Sequence, residues 1–242
     1  MRKTRVFTEA GLVVGDIITL DKTRAHYLKN VLRLKPGAAF FLFNGREAID
    51  YEAKLIIEGK RLTAEILTAR PLATESALTS EIIQGLGRAD HMDWTIQKTT
   101  ELGVNRISIF NAARTQSPLK ATQLEKKLVH WRAVAISACE QCGRAIVPEI
   151  EFHAGLEAAL VDAVGACKLI LDFAGKPLAS SLEPSRPSVS ILLGPEGGLT
   201  DAEIGLAHKT EFQAVSLGPR VLRMETAATA ALAIVQSSPG NI

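Results

Sequence analysis

The chain has 242 residues, 47% hydrophobic and 22% charged, a balance that excludes a disordered polymer and fits ordinary folded domains. No apolar run reaches the roughly 18 residues that a membrane helix needs, and three cysteines are too few, and odd in number, for a disulfide framework. The formal net charge of +2 hides an asymmetry: residues 1–70 hold 13 Lys and Arg against 8 Asp and Glu, and residues 71–242 hold 15 against 18. Residues 1–35 alone hold 8 basic groups against 3 acidic ones. A basic N-terminal part either meets a polyanion or is a solvated surface, and charge alone leaves both open. The stretch from Met1 to Glu9 lacks the apolar core of a signal peptide, so a cytoplasmic protein is expected.

Residues 1–70 read as β-rich. Ala38 to Phe43 form an apolar run, and Asn44-Gly45 offers a two-residue type I′ turn because both tolerate positive φ. A second hairpin follows: Ala53, Leu55 and Ile57 alternate before Glu58-Gly59, and Leu62, Ala64 and Ile66 alternate after it. Short strands with tight turns predict a small barrel, interrupted by one helix near residues 23–33 with Thr23 as its N-cap. Residues 70–76 read as a linker between a domain at 1–70 and a domain at 71–242.

From Ser80 the rhythm changes to strand, then helix. Glu81 to Gln84 predict a strand, Asp90 to Leu102 a helix closed by Gly103, and Ile107 to Phe110 a strand. A longer helix spans 122–142, with Thr122 and Glu125 as a capping box and one stripe of Leu124, Leu128, Trp131, Ala135, Ala138 and Cys142. Leu169 to Leu171, Val189 to Leu193 and Ala214 to Leu217 are continuous apolar runs, which suit a parallel sheet covered on both faces. An Ala-rich helix at 225–236 follows them. The fold class is α/β.

Two glycine-bearing loops each follow a predicted strand: Leu193-Gly194-Pro195-Glu196-Gly197-Gly198-Leu199-Thr200, and Ser216-Leu217-Gly218-Pro219-Arg220-Val221-Leu222-Arg223-Met224-Glu225-Thr226. Ligands of open α/β sheets bind at this edge, and glycine lets backbone approach a ligand closely. The alternative is two tight connections. Thr200 and Glu203 form a capping box, so the first loop opens a helix. Other signals fail. Gly85-Leu86-Gly87-Arg88-Ala89-Asp90 has Asp90 where a dinucleotide fingerprint needs its third glycine, no phosphate loop of the Walker type exists, and Gly-x-Ser-x-Gly is missing. Cys139-Glu140-Gln141-Cys142 has no second pair, so burial explains it better than zinc. His26, His91, His130, His153 and His208 show no ligand spacing.

Gln97-Lys98-Thr99-Thr100-Glu101-Leu102-Gly103, Ala138 to Arg144, Leu193 to Gly198 and Leu217 to Thr226, with Arg5-Val6-Phe7 and His26 to Arg33 at the start, resemble the RsmE family of bacterial 16S ribosomal RNA (uracil-N3)-methyltransferases. The resemblance spans nearly the whole chain. It implies a C-terminal SPOUT domain, a mostly parallel sheet whose chain forms a trefoil knot, and an N-terminal PUA-like barrel that binds RNA. It further implies S-adenosylmethionine as cofactor, a homodimer, and N3 of a uridine as target, conventionally position 1498 of the 16S RNA in the small ribosomal subunit. The cofactor residues it implies are Leu171, Leu193, Gly194, Glu196, Gly197, Gly198, Ser216, Leu217, Gly218, Arg220, Val221 and Leu222. Met224 stands where many members carry a small polar residue and receives no hydrogen-bonding role.

Uridine N3 is mostly protonated at neutral pH, so the site must remove or displace that proton. A cation beside the flanking carbonyl oxygens would stabilise the anion. Arg220 and Arg223 are the nearby candidates, and Glu225 could orient one of them or act as base. No metal is required. Arg2, Lys3, Arg5, Arg24, Lys29, Arg33 and Lys35 are the expected phosphate contacts. Two rivals stay open: an RNA-binding protein without catalysis, which leaves the twin loops unused, and a knotted methyltransferase acting on a ribose hydroxyl or on transfer RNA.

Overall fold

The computed structural model describes residues 4–59, 61–182 and 187–237; Arg2 and Lys3, two of the expected phosphate contacts, lie outside the described residues. Packing divides the chain into one unit of Met1–Glu75 with Cys139–Val147, and a second of Ser76–Ala138 with Pro148–Ile242.

The first unit contains β1 (Arg5–Phe7), β2 (Ile17–Thr19), β3 (Ala39–Phe43), β4 (Ile49–Glu58) and β5 (Arg61–Pro71), in sheet order β1-β3-β4-β5-β2. The expected alternation holds. Ala53, Leu55, Leu62, Ala64 and Ile66 are buried, and with Val6, Leu28, Phe40 and Leu42 they form the cluster around which the sheet curls. Asn44-Gly45 is not a two-residue turn, because β3 ends at Phe43 and β4 starts at Ile49. The Asn44 side chain instead accepts hydrogen bonds from the N–H groups of Arg46 (3.0 Å) and Glu47 (3.2 Å), and so organises a longer loop. Gly45 then bridges Ile146, and its carbonyl accepts from Val147 N–H at 3.0 Å.

The expected helix is split. It begins as α1 (Lys22–His26), capped by Asp21, whose carboxylate accepts from Arg24 N–H at 3.0 Å; Thr23 lies inside it. A π turn at Tyr27–Val31 follows and buries Leu28. Arg5 does not face solvent. Its guanidinium pairs with Asp50 at 2.8 Å, donates to the carbonyls of Cys139 (2.6 Å) and Arg144 (3.0 Å), and leaves its side chain 9% exposed. Arg24 also turns inward, donating to the Phe7 carbonyl and Asp21 and lying 5.1 Å from the Phe7 ring centre. Of the expected phosphate contacts, Lys29, Arg33 and Lys35 are exposed.

The second unit contains β6 (Thr79–Gly85), α2 (Ala89–Glu101), β7 (Arg106–Phe110), α3 (Ala121–Cys142) as far as Ala138, β8 (Glu149–His153), α4 (Leu156–Val161), β9 (Cys167–Pro177), β10 (Ser188–Leu193), α5 (Asp201–Lys209), β11 (Gln213–Ser216) and α6 (Met224–Ser237). Its six strands are all parallel, in the order β11-β9-β10-β6-β7-β8. Burial is continuous along β6, β7 and β10, as the unbroken apolar runs require. Ile83, Ile170 and Leu192 pack into one cluster with α4 and α5 through Leu156, Ala159 and Ala207, while the alternate residues Ile82, Leu169 and Ile191 face the other side. After β11 at the sheet edge the chain returns so that α6 packs on α2 and β10.

Helix α3 departs from its expected cap and stripe. It starts at Ala121, which places Thr122 within the first turn. Trp131, Ala135 and Ala138 are buried, but at the C-terminal end the buried position is Cys139, whose thiol burial pushes up to about 12, whereas Cys142 is exposed. The capping box of α5 forms as expected: Glu203 N–H donates to Thr200 Oγ1 at 3.3 Å, and Thr200 N–H donates to Glu203 Oε2 at 2.8 Å.

Candidate functional site

The C-terminal ends of β9, β10 and β11 and the start of α2 enclose a cavity of about 530 Å³. Strand β9 supplies its wall through a break in register. Gln213 and Ala214 of β11 pair with Leu169 and Ile170, but Val215 then pairs with Lys176. The residues between loop out of the ladder and carry Leu171, Asp172 and Phe173 to the cavity. Gly175 closes that loop; a Cβ there would lie 2.4 Å from Val215 N, so a side chain would push β11 off the sheet.

The end of β10 contributes Leu193, and the loop after it Gly194, Glu196 and Gly198. The buried Gln84 amide of β6 donates to the Gly194 carbonyl at 2.8 Å and ties this loop to the neighbouring strand. Gly197, expected in the pocket, is turned away from it. Its backbone rests on Arg114, whose guanidinium donates to the carbonyls of Gly197 (3.3 Å) and Leu199 (3.2 Å). The segment after β11 supplies Ser216, Leu217, Gly218, Arg220, Val221 and Leu222, and then Arg223, Met224 and Glu225 at the start of α6. Arg220, Val221 and Arg223 are exposed, whereas Glu225 is buried.

The walls divide chemically. Leu171, Leu193, Leu217 and Leu222 make an apolar part, and Glu196 and Glu225 make an acidic one. The Arg88 N–H donates to Glu196 Oε1 at 2.9 Å, and His91 Nδ1 lies 2.8 Å from the same oxygen. Burial works against ionisation of Glu196, but these donors outweigh it and hold the carboxyl below the usual range. Glu225 Oε2 is buried with no hydrogen-bond partner and lies 3.8 Å from His91 Nδ1.

His91, Asp172 and Phe173 were not expected from the sequence. The signal for His91 was present in Gly85-Leu86-Gly87, which fails as a dinucleotide motif because it serves as packing. A Cβ on Gly85 would lie 2.6 Å from Pro195 Cδ, and one on Gly87 would lie 2.9 Å from the Glu196 carboxylate. The first glycine loop and the start of α2 are thereby pressed together. Among the described residues, no group of three or more His, Cys, Asp and Glu side chains is arranged to hold a metal ion, and no helix is long and apolar enough to cross a membrane.

The chain is similar to known proteins. An RNA methyltransferase domain family matches residues 74–236, and an RNA methyltransferase PUA domain family matches residues 20–67. Ribosomal RNA small subunit methyltransferase E of Buchnera aphidicola subsp. Schizaphis graminum is 31% identical over 242 residues, covering 100% of this chain and 98% of that one. A Legionella pneumophila protein solved with bound cofactor S-adenosylmethionine superposes with a TM-score of 0.93 at 32% identity, covering 98% of both chains. Ribosomal RNA small subunit methyltransferase E of Neisseria gonorrhoeae, bound to S-adenosylmethionine, gives 0.88 at 34% identity over 98% of both chains.

Proposed function

We propose, from the premise that the chain belongs to the ribosomal RNA small subunit methyltransferase E family, that it transfers a methyl group from S-adenosylmethionine to N3 of a uridine in 16S ribosomal RNA, at the position conventionally numbered 1498. The observation that carries the reading is the divided cavity at the C-terminal ends of three parallel strands. A ligand with a flat base at one end matches the apolar walls, while the buried Glu225 oxygen that has no partner leaves an acceptor for a proton from the substrate. Leu171, Leu193, Leu217 and Leu222 would hold the base, with the backbone of Gly194 and Gly218 beside it. When bound, the cofactor supplies an electrophilic methyl group on a positively charged sulfur.

The chain's own residues must then free the N3 lone pair. Glu225 would take the N3 proton, since it is buried in the cavity wall in the first turn of α6 with one oxygen left without a partner. Arg220 and Arg223, exposed at the same cavity, are suited to the charge that spreads onto the uracil carbonyl oxygens. The target uracil has to leave its stack to reach them. Wild-type protein, S-adenosylmethionine and small subunits lacking the modification should yield 3-methyluridine in 16S RNA on nucleoside mass spectrometry. A methylated ribose, or product on transfer RNA alone, would replace this reading with that of another methyltransferase.

Cofactor placement is tested at Gly218, whose φ of +96° suits glycine. A valine Cβ there meets nothing within 4 Å, but the backbone conformation is strained by about 1–3 kcal/mol. Gly218→Val should therefore lower the melting temperature by a few degrees and weaken S-adenosylmethionine binding at least about tenfold in calorimetry, since relief of the strain reshapes the wall. Unchanged affinity in the folded variant would move the cofactor elsewhere.

RNA affinity should reside in the exposed cations Lys29, Arg33 and Lys35. Each phosphate contacted contributes a slope of about −0.7 on logarithmic salt axes for single strands. Lys29→Ala with Arg33→Ala should flatten the slope by about 1.4 and spare cofactor binding. An unchanged slope would remove both residues from the footprint. The family resemblance supports an isologous homodimer in the cytoplasm, and sedimentation at micromolar concentration tests the dimer.

A further inference from the structure

His91 stands among three carboxylates. Its Nδ1 lies 2.8 Å from Glu196 Oε1 and 3.8 Å from Glu225 Oε2, and its Nε2 lies 3.8 Å from Asp90 Oδ2. The other charged groups nearby are Arg88, 4.0 Å from Asp90, and Asp172, Arg220 and Arg223 on the same cavity. An imidazole nitrogen carries one proton, so Nδ1–H can be given to Glu196 whether or not the ring is charged. Glu225, at 3.8 Å, is beyond hydrogen-bond reach and its buried oxygen has no other partner. Only a positive charge on the ring attracts it. Neutral His91 would therefore still fix the loop after β10 but would no longer orient the Glu225 side chain.

We infer that His91 is a positioning residue which, as imidazolium, holds the Glu225 carboxylate aimed into the cavity as acceptor of the substrate N3 proton. The inference rests on the proposed uridine methylation. In the step it serves, Glu225 takes the N3 proton, N3 uses the freed lone pair to bond the methyl carbon, and the electron pair of the broken carbon–sulfur bond stays on sulfur. The proton passes from Glu225 to water once product has left. Glu196 takes no part in the transfer; it anchors the far side of the ring, and the close approach at Gly87 keeps it there.

The test compares wild type, His91→Gln and His91→Lys in single-turnover methyl transfer at saturating cofactor, from about pH 6 to about pH 8.5, the range in which imidazoles generally lose their charge. His91→Gln should be about tenfold slower than wild type near pH 6, with the gap closing to under about twofold at the alkaline end. His91→Lys, which keeps its charge throughout, should recover most of the rate and be faster than wild type at alkaline pH. A defect of constant size across the range, or no recovery by lysine, would reduce His91 to packing. A second reading needs no substrate. In a double-mutant cycle of His91→Gln and Glu225→Gln followed by thermal unfolding, coupling of about 2 °C or more is expected near pH 6 and none near pH 8.5. Zero coupling near pH 6 overturns the link by itself. If wild type makes no 3-methyluridine while the coupling is present, the uridine reading fails and the His91–Glu225 link stands.

Discussion

Replacing Glu225 by glutamine is expected to slow methyl transfer by about two to three orders of magnitude, the usual contribution of a positioned general base. The substitution is nearly isosteric, so the first turn of α6 and its packing on α2 should survive, and S-adenosylmethionine affinity should stay within about threefold. Glutamine cannot take the N3 proton. The residual reaction must draw on uridine already ionised, so its rate should climb about tenfold per pH unit below the nucleobase pKa, more steeply than that of wild type. Single-turnover rates at saturating cofactor separate these effects from binding. A loss of less than about fivefold, or an unaltered pH profile, would take Glu225 out of the proton transfer and leave Arg220 and Arg223 as the groups to examine.

The second large effect is on stability. Arg5→Ala leaves Asp50 buried with its guanidinium gone and strips donors from the carbonyls of Cys139 and Arg144. Breaking such a pair from one side typically destabilises by about 3–5 kcal/mol. Arg5→Lys should recover little, since an ammonium cannot reproduce the bidentate grip on Asp50. Denaturant unfolding followed by circular dichroism measures the loss, and adding Asp50→Ala to Arg5→Ala should return part of it by removing the orphaned carboxylate. An Arg5→Ala protein of unchanged stability whose salt slope for RNA binding has flattened would restore Arg5 to the phosphate contacts.

Arg5 shows why some of the molecule could not be read from the chain. Counting charge identifies a basic segment but not which cations are already engaged, and the partners of Arg5 lie 45 and more than 130 residues away. Local chemistry was more legible. Five of the six strands of the second unit were legible as short runs, whereas β8, whose Glu149, Glu151 and His153 interrupt any apolar run, was not; the cap of α5 followed from Thr200 and Glu203, and the glycine loops from their place after strands. Contacts made by folding back were not legible: the looped-out residues of β9 break a run that looked regular, and His91 belongs to a helix whose opening motif seemed only a failed fingerprint. Asp21 took the cap from Thr23 because its carboxylate, two residues before the expected cap, reaches Arg24 N–H.

The assignment of Cys139–Val147 to the first unit has a consequence for how the protein is made. During synthesis the first 75 residues leave the ribosome well before that segment does. Until it emerges, Arg5 and Phe7 N–H lack the acceptors at Cys139, Arg144 and Glu140, and Gly45 lacks its bridge to Ile146. The nascent first unit must wait, incomplete, while residues 76–138 of the other unit are translated. A chimaera exchanging this unit between relatives would therefore have to carry two separate stretches of sequence, and a cut at Glu75 would yield a fragment missing part of its own interior.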